Sequence, residues 1–132
     1  MNTLHAVITN IDRHESLSCL EIDAAGIPLG ILLCDLNPRF RKGCGVKVLF
    51  KETEVSLAKE LAGEVSFSNR FSAIVTAIKS SCMLADITLL SAAGEFASII
   101  TVRAVEKLDL KINDEVTVLI KASQLSLDAR QD

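Results

Sequence analysis

The strongest constraint on the fold of this chain is the short, regular alternation of apolar and polar residues. Along residues 17–24, Leu20 and Ile22 alternate with acidic residues, and a turn signal, Ala25-Gly26, follows directly. An alternation of period two places the apolar side chains on one face of a strand and the polar ones on the other. The segment is therefore predicted to be a β-strand with one buried face.

Nine further segments rich in Val, Ile and Leu are bounded by turn residues in the same way. The predicted strands cover residues 4–11, 17–24, 27–34, 46–50, 55–57, 74–78, 84–90, 96–101, 115–120 and 125–127. A short helix is predicted over residues 102–108 with Thr101 as its N-cap, and residues 128–132 are predicted to form a frayed polar tail. Many short strands at even spacing predict a mainly β protein of the small-barrel type.

The two halves of the chain follow the same order of elements. When they are superposed, Asn2 falls on Asn69 and Lys51 falls on Lys121, with the joint around residues 58–63. Self-similarity of this kind indicates an internal repeat. We therefore predict two repeats, residues 1–62 and residues 63–132.

Charge and composition restrict the classes of partner. The net charge is −3 and aromatic residues make up 4% of the chain, all of them Phe. Nucleic-acid binders usually carry a basic surface, and proteins that bind single strands add stacking aromatics. Nucleic acid is therefore a disfavoured partner, whereas a small dianion held by hydroxyls, N–H groups and one lysine remains compatible with an acidic protein.

The apolar content predicts self-association and not membrane insertion. Apolar residues make up 49% of the 132 residues, yet charges interrupt every run before the ~20 apolar residues of a membrane helix are reached. The first residues lack a signal-peptide pattern, so we expect a cytoplasmic protein. So many aliphatic residues in a small chain favour a homo-oligomer, either a trimer or a dimer.

Catalysis and metal binding find little support in the sequence. The cysteines, Cys19, Cys34, Cys44 and Cys82, have no zinc-ligand spacing and are expected to be reduced and mostly buried. No pair of carboxylates and no nucleophile with a nearby base is specific enough to indicate an active site. We therefore predict a binding protein and not an enzyme.

Four motifs in the second half carry a family resemblance. They are Ser-Phe-Ser-Asn-Arg-Phe at 66–71, Ile-Thr at 100–101, Leu-Asp-Leu-Lys-Ile-Asn-Asp-Glu-Val at 108–116 and Ile-Lys-Ala-Ser at 120–123. In this order they resemble the Mop domain, the molybdate-binding unit of the wider TOBE family. The resemblance covers residues 66–127 and implies two OB-like barrel repeats, each with a short helix or helical turn, of which the first is degenerate.

The resemblance also implies a function, the intracellular binding of molybdate or tungstate for storage, homeostasis or sensing. In the family, the opening and closing motifs surround the oxyanion, and backbone from a neighbouring subunit completes the shell. The positions carried over are Ser66, Ser68, Asn69, Leu84, Ala85, Thr101, Lys121, Ala122 and Ser123.

The residue types at these positions suit a tetrahedral dianion. Ser66 and Ser68 are two residues apart, so both hydroxyls lie on one face of an extended segment. Lys121 adds a full positive charge, and Ser123 adds a hydroxyl. Thr101 can donate through its hydroxyl, and the helix after it would direct free N–H groups towards an anion.

Two departures from the family pattern predict weaker and unequal sites. Ser68 stands where the family usually has Arg, so one bidentate donor is missing, and Arg70 lies two residues further along the same face. In the first half, Glu52 adjoins Lys51, and its charge would oppose a dianion. The second half is therefore predicted to supply most of the donors.

Three other functions remain open at this stage. The chain would act as a regulatory or oligomerisation module with a molybdate transporter or a transcription regulator, as other TOBE domains do. It would alternatively be a structural oligomer that has lost its ligand. An OB-like nucleic-acid binder is the third alternative, disfavoured by charge.

Overall fold

The computed structural model of the chain, which describes residues 1–130, contains two five-stranded antiparallel sheets. The first sheet has the spatial order β10 (Ser126–Ala129), β4 (Gly45–Phe50), β1 (Asn2–His14), β2 (Leu17–Ala24) and β3 (Ile27–Cys34). The second sheet has the order β5 (Ser56–Ala58), β9 (Glu115–Ile120), β6 (Asn69–Ser80), β7 (Leu84–Ser91) and β8 (Gly94–Thr101). The predicted repeat is therefore visible as two sheets of the same order.

Three short helical elements complete the secondary structure. Helix α1 (Val102–Leu108) follows β8, as the sequence predicts, and Thr101 Oγ1 accepts a hydrogen bond from Ala104 N at 3.0 Å. Two 3₁₀ turns stand at equivalent places after β4 and β9. They are named here the first-repeat turn (Glu52–Glu54) and the second-repeat turn (Ala122–Gln124).

The long strand at the centre of each sheet bends at a bulge. The register of β1 shifts between Ile8 and Asn10, and the register of β6 shifts between Val75 and Ala77. The first part of β1 pairs with β4 and the later part pairs with β2, and β6 divides its pairing between β9 and β7 in the same way. A bulge that bends a strand allows it to serve both sides of a small barrel. The predicted fold, two OB-like barrel repeats, is confirmed.

The two sheets exchange their short edge strands. Residues Ser56–Ala58 of the first half pair with β9, and residues Ser126–Ala129 of the second half pair with β4. The division of the chain between residues 62 and 63 into two folding units remains a prediction. The exchange means that each predicted unit contributes one strand to the sheet of the other. The polar tail predicted over 128–132 is wrong for Asp128 and Ala129, which belong to β10; residues 131 and 132 lie outside the described part.

A single hydrophobic core joins the repeats. The ring of Phe96 in β8 lies 5.6 Å from that of Phe50 in β4 and 5.9 Å from that of Phe71 in β6. Rings from both sheets therefore meet, and such pairs contribute about 0.5–1.5 kcal/mol each beyond their buried area. The relative position of the repeats is fixed by core packing as well as by the strand exchange.

The cysteines correct one expectation. Cys19, Cys34 and Cys82 are exposed and Cys44 is half-buried, so the prediction of mostly buried thiols is wrong. Cys19 and Cys34 lie on the solvent face of β2 and β3, where Leu17 is also exposed. All four thiols are free in the described structure.

Candidate functional site

Pairing of β6 with β9 brings the opening and closing motifs together. Asn69 is the Cα partner of Ile120, so the residue before β6 and the residue after β9 leave the sheet side by side. These residues are Ser68 and Lys121. The opening motif and the segment ending at Ser123 therefore meet at one end of the β6–β9 strand pair.

Lys121 presents its charge from a fixed turn. Gln124 N donates to Lys121 O at 3.0 Å, and Lys121 N donates to Gln124 Oε1 at 3.3 Å. The side chain of Lys121 is exposed, and within residues 1–130 its ammonium has no ion pair or hydrogen bond. Ser66, Ser68 and Ser123 are exposed as well. One unpaired cation and three accessible hydroxyls therefore face solvent in this region.

The side chain of Asn69 is used by the protein itself. It is fully buried, with Gly30 N donating to Asn69 Oδ1 at 2.7 Å and Asn69 Nδ2 donating to Gly30 O at 3.0 Å. Both polar atoms of the amide thus bind one residue of β3, in the other repeat. Asn69 holds Ser68 next to β3, where a Cβ built on Gly30 would lie 3.8 Å from Ser68 Cβ.

The second-repeat turn also packs against β3, so the candidate site lies at the junction of the two repeats. Gly30 was not singled out from the sequence. The available signal was a glycine inside a strand, which often marks a close approach of another segment.

An open groove of about 510 Å³ adjoins the hydroxyl side of the site. Ser68 and Arg70 line it together with Glu21 and Asp23 of β2. Arg70 Nη1 donates to Gly63 O at 2.6 Å, which directs part of the guanidinium to the connecting segment. Because two carboxylates border the groove, a dianion is disfavoured inside it.

The remaining predicted residues form a separate group on β7 and β8. Leu84 is the Cα partner of Thr101 and is exposed, whereas Ala85 is fully buried, backbone included. Val102 N already donates to Met83 O at 2.9 Å, and Ala104 N donates to Thr101 Oγ1. Two N–H groups at the start of α1 therefore have partners within the chain.

Residues 82–83, 101–103 and 106 line a cleft of about 400 Å³ beside this group. Across the described residues 1–130, no hydrogen bond joins this group to the one around Lys121.

The first repeat has an equivalent place with different chemistry. Lys51 precedes the first-repeat turn as Lys121 precedes the second, but Glu52 stands where the second has Ala122. The amino-terminal ammonium of Met1 forms an ion pair with the Glu52 carboxylate. Its hydrogen bond to the carboxylate lowers the pKa of Glu52 below the ordinary 4.5. Sequence reasoning identified Glu52 but missed its partner.

Other features of the described chain bear on function. No helix among residues 1–130 is long and apolar enough to cross a membrane. Over the same residues, no cluster of His, Cys, Asp and Glu is arranged to hold a metal ion.

The fold defines a tandem of two small β-barrels, and the second repeat carries the four motifs at residues 66–71, 100–101, 108–116 and 120–123. Comparison with protein families matches residues 66–127 to the TOBE domain, so the second half of this chain belongs to the TOBE domain family. Comparison with curated proteins finds no sequence relative.

Two solved structures resemble the chain. The cytoplasmic molybdate-binding protein ModG, in a form with molybdate bound, superposes with a TM-score of 0.91 at 23% identity, covering 98% of this chain and 96% of ModG. A molybdate-binding protein from Sporomusa ovata is 33% identical over 46% of this chain and 90% of its own, with a TM-score of 0.44. The likeness to ModG shows that both repeats and their arrangement are those of a known tandem fold.

Proposed function

We propose that this chain binds a tetrahedral oxyanion, molybdate or tungstate, between Ser66–Ser68 and Lys121–Ser123. The observation that carries the proposal is the pairing of Asn69 with Ile120, which sets these two segments side by side. The ammonium of Lys121, in the second of these segments, has no ion pair among residues 1–130. The similar fold of ModG, a molybdate-binding protein, supports the choice of ligand.

The donor set suits a small dianion that must be both bound and released. Neutral hydroxyls and backbone N–H groups satisfy the oxygens of the ligand without a large opposing charge, and a charge-assisted bond from Lys121 adds about 1.5–3 kcal/mol. In this proposal Ser66, Ser68 and Ser123 donate through their hydroxyls, and Ala122 contributes its backbone. Asn69 positions Ser68, because its own amide is occupied by Gly30.

We further propose that Thr101 and the backbone of Leu84, next to the buried Ala85, reach the oxyanion from a second copy of the chain. Thr101 and Leu84 are exposed to solvent, and no hydrogen bond among residues 1–130 joins them to the residues around Lys121. Met83 and Leu84, 75% and 50% exposed beside the cleft of the second group, would then be covered by the neighbouring copy. The assembly would be a trimer or a dimer.

The role proposed for the whole protein is intracellular storage, homeostasis or sensing of the oxyanion, without catalysis. The main alternative is a TOBE module that regulates or assembles with a molybdate transporter or a transcription regulator. The two roles make different demands on the protein. A store needs only reversible binding of the oxyanion, whereas a regulator also needs a partner that distinguishes the oxyanion-bound state from the free state.

Calorimetry with molybdate, tungstate, sulfate and phosphate tests the proposal. Wild type should bind molybdate and tungstate, and Lys121→Ala should abolish the binding. Lys51→Ala is the matched control, because it removes the same charge at the equivalent place in the first repeat. Absence of heat with every oxyanion would reject the proposal and favour the structural or regulatory alternative, and equal losses in the two variants would reject the assignment to the second repeat.

A further inference from the structure

The first-repeat turn and the second-repeat turn stand at equivalent places in the two repeats. Each 3₁₀ turn packs against the third strand of the opposite repeat, the first-repeat turn on β8 and the second-repeat turn on β3. Beside each turn, an Asn side chain forms the same pair of hydrogen bonds with the backbone of one residue in that strand. Asn2 Nδ2 donates to Ala97 O at 2.7 Å and Ala97 N donates to Asn2 Oδ1 at 2.9 Å, as Asn69 and Gly30 do in the other repeat.

The backbone framework of the candidate oxyanion site is thus repeated around the first-repeat turn. Donors for an anion are also present there, because Lys51 and Thr53 are exposed. Met1 precedes Asn2 as Ser68 precedes Asn69 in the second repeat, and it brings its ammonium to this turn. However, the positive charge of the Met1 ammonium is already neutralised at this turn, because the ammonium forms an ion pair with the Glu52 carboxylate.

We infer that the Glu52 carboxylate takes the place of an oxyanion beside the first-repeat turn, and that its removal opens a second oxyanion site formed by Lys51, Thr53 and the amino group of Met1. The inference rests on the proposed function of the second repeat for the class of ligand, a tetrahedral dianion. Its physical basis is that a carboxylate and a dianion compete for the same cationic donors and repel each other at contact distance. Glu52 therefore determines how many oxyanions one chain holds.

Two substitutions at one position separate charge from packing. Glu52→Gln keeps the size of the side chain and removes its charge, and Glu52→Ala reproduces the residue of the second repeat. Glu54→Gln is the matched control, since it removes a carboxylate from the same turn that has no ion pair within the described residues. The protein should carry no tag at its amino terminus, so that the Met1 ammonium is preserved.

Calorimetric titration with molybdate measures the number of ions bound per chain. Both Glu52 variants should bind one more ion than wild type, and Glu54→Gln should bind the wild-type number. An unchanged number in both Glu52 variants, or the same gain in Glu54→Gln, would overturn the inference.

A Lys121→Ala background separates this inference from the proposed function. With the second-repeat site disabled, Lys121→Ala/Glu52→Gln should still bind one ion, and adding Lys51→Ala should abolish that binding. Crystals of Glu52→Gln grown with tungstate should show anomalous density beside Lys51 and Thr53. Wild-type binding without any gain in the Glu52 variants would reject only the inference, and a gain without wild-type binding would reject only the proposed function.

Discussion

The amide of Asn69 and the backbone of Gly30 form a two-point contact across the junction of the repeats, with bonds of 2.7 and 3.0 Å. The contact satisfies both polar atoms of a fully buried side chain and both backbone groups of one residue in an edge strand. Since an unpaired buried polar group costs about 1–3 kcal/mol, the contact selects one arrangement of the two repeats. The same relationship joins Asn2 to Ala97.

Replacing Asn69 should destabilise the whole protein. Asn69→Ala leaves the N–H and C=O of Gly30 without their partners, and we expect a loss of about 2–4 kcal/mol in the free energy of unfolding. Urea denaturation of the variant measures the loss. Asn10→Ala is the control, because among residues 1–130 the side chain of Asn10 has a hydrogen bond only to the exposed carboxylate of Asp12, at 3.5 Å. Equal stability of Asn69→Ala and wild type would show that the contact contributes nothing.

Restoring the family arginine should strengthen the proposed site. Ser68→Arg adds a charge-assisted donor beside Lys121, for which we expect molybdate affinity to rise roughly ten- to a hundredfold. Glu21 and Asp23 line the adjoining groove and would draw the new guanidinium away from the ligand. The gain measured by calorimetry should therefore be larger when Ser68→Arg is combined with Glu21→Gln. An unchanged affinity in both variants would place Ser68 outside the site.

Two glycines should respond in opposite directions to the same substitution. Gly30→Ala introduces a Cβ 3.8 Å from Ser68 Cβ, an ordinary contact, and should keep or raise stability by about 0.5–1 kcal/mol. Gly26 has open space around it but a φ of +92°, so Gly26→Ala should lower the melting temperature. Thermal unfolding followed by circular dichroism compares the two, and a destabilised Gly30→Ala would mean that β3 cannot tolerate any side chain at the junction.

Asp114 should contribute to stability in a pH-dependent way. Lys59 Nζ lies 3.0 Å from Asp114 Oδ2 and Lys111 N donates to the same oxygen at 2.8 Å, and these bonds lower the pKa of Asp114 below the ordinary 3.8. A lowered pKa means that the stabilisation is fully present above pH 3.8 and is lost as the pH falls through the lower folded-state value.

Asp114→Asn provides the test of this pH dependence. Wild type should be more stable than Asp114→Asn at neutral pH, and the difference should shrink below pH 3.8. Melting temperatures across the acid range measure it. A difference that stays constant with pH would assign the effect to the geometry of the turn and not to the charge.

The strand exchange predicts that the halves need each other. A fragment of residues 1–62 lacks β10, and a fragment of residues 63–132 lacks β5, so each leaves the edge of a strand unpaired. We expect the separate fragments to be less stable than the intact chain and to form a complex when mixed. Gel filtration of the mixture would detect the complex, and two fragments that stay folded and separate would establish the halves as independent domains.

Local patterns accounted for most of the elements. The alternation along residues 17–24 and the run from Val102 to Leu108 each depend on neighbours a few positions away, so the β2 strand and helix α1 were predicted with the correct bounds. The bounds of β1 and β6 were less well predicted, because both strands extend beyond the predicted segments through pairing with other strands. Pairing with β9 holds residues 69–73 in the second sheet, and pairing with β2 holds residues 12–14 in the first.

The sequence by itself determined the repeat, the mainly β fold and the residues that carry the proposed site, because hydrophobic period and local motifs depend on short separations along the chain. Tertiary structure decided what those residues do. Asn69 holds the two repeats together only because folding brings the backbone of Gly30, 39 positions away, next to its amide. Glu52 forms an ion pair beside the first-repeat turn only because folding brings the Met1 ammonium to it. Contacts between distant positions arise from the packing of whole sheets, and no local pattern specifies them.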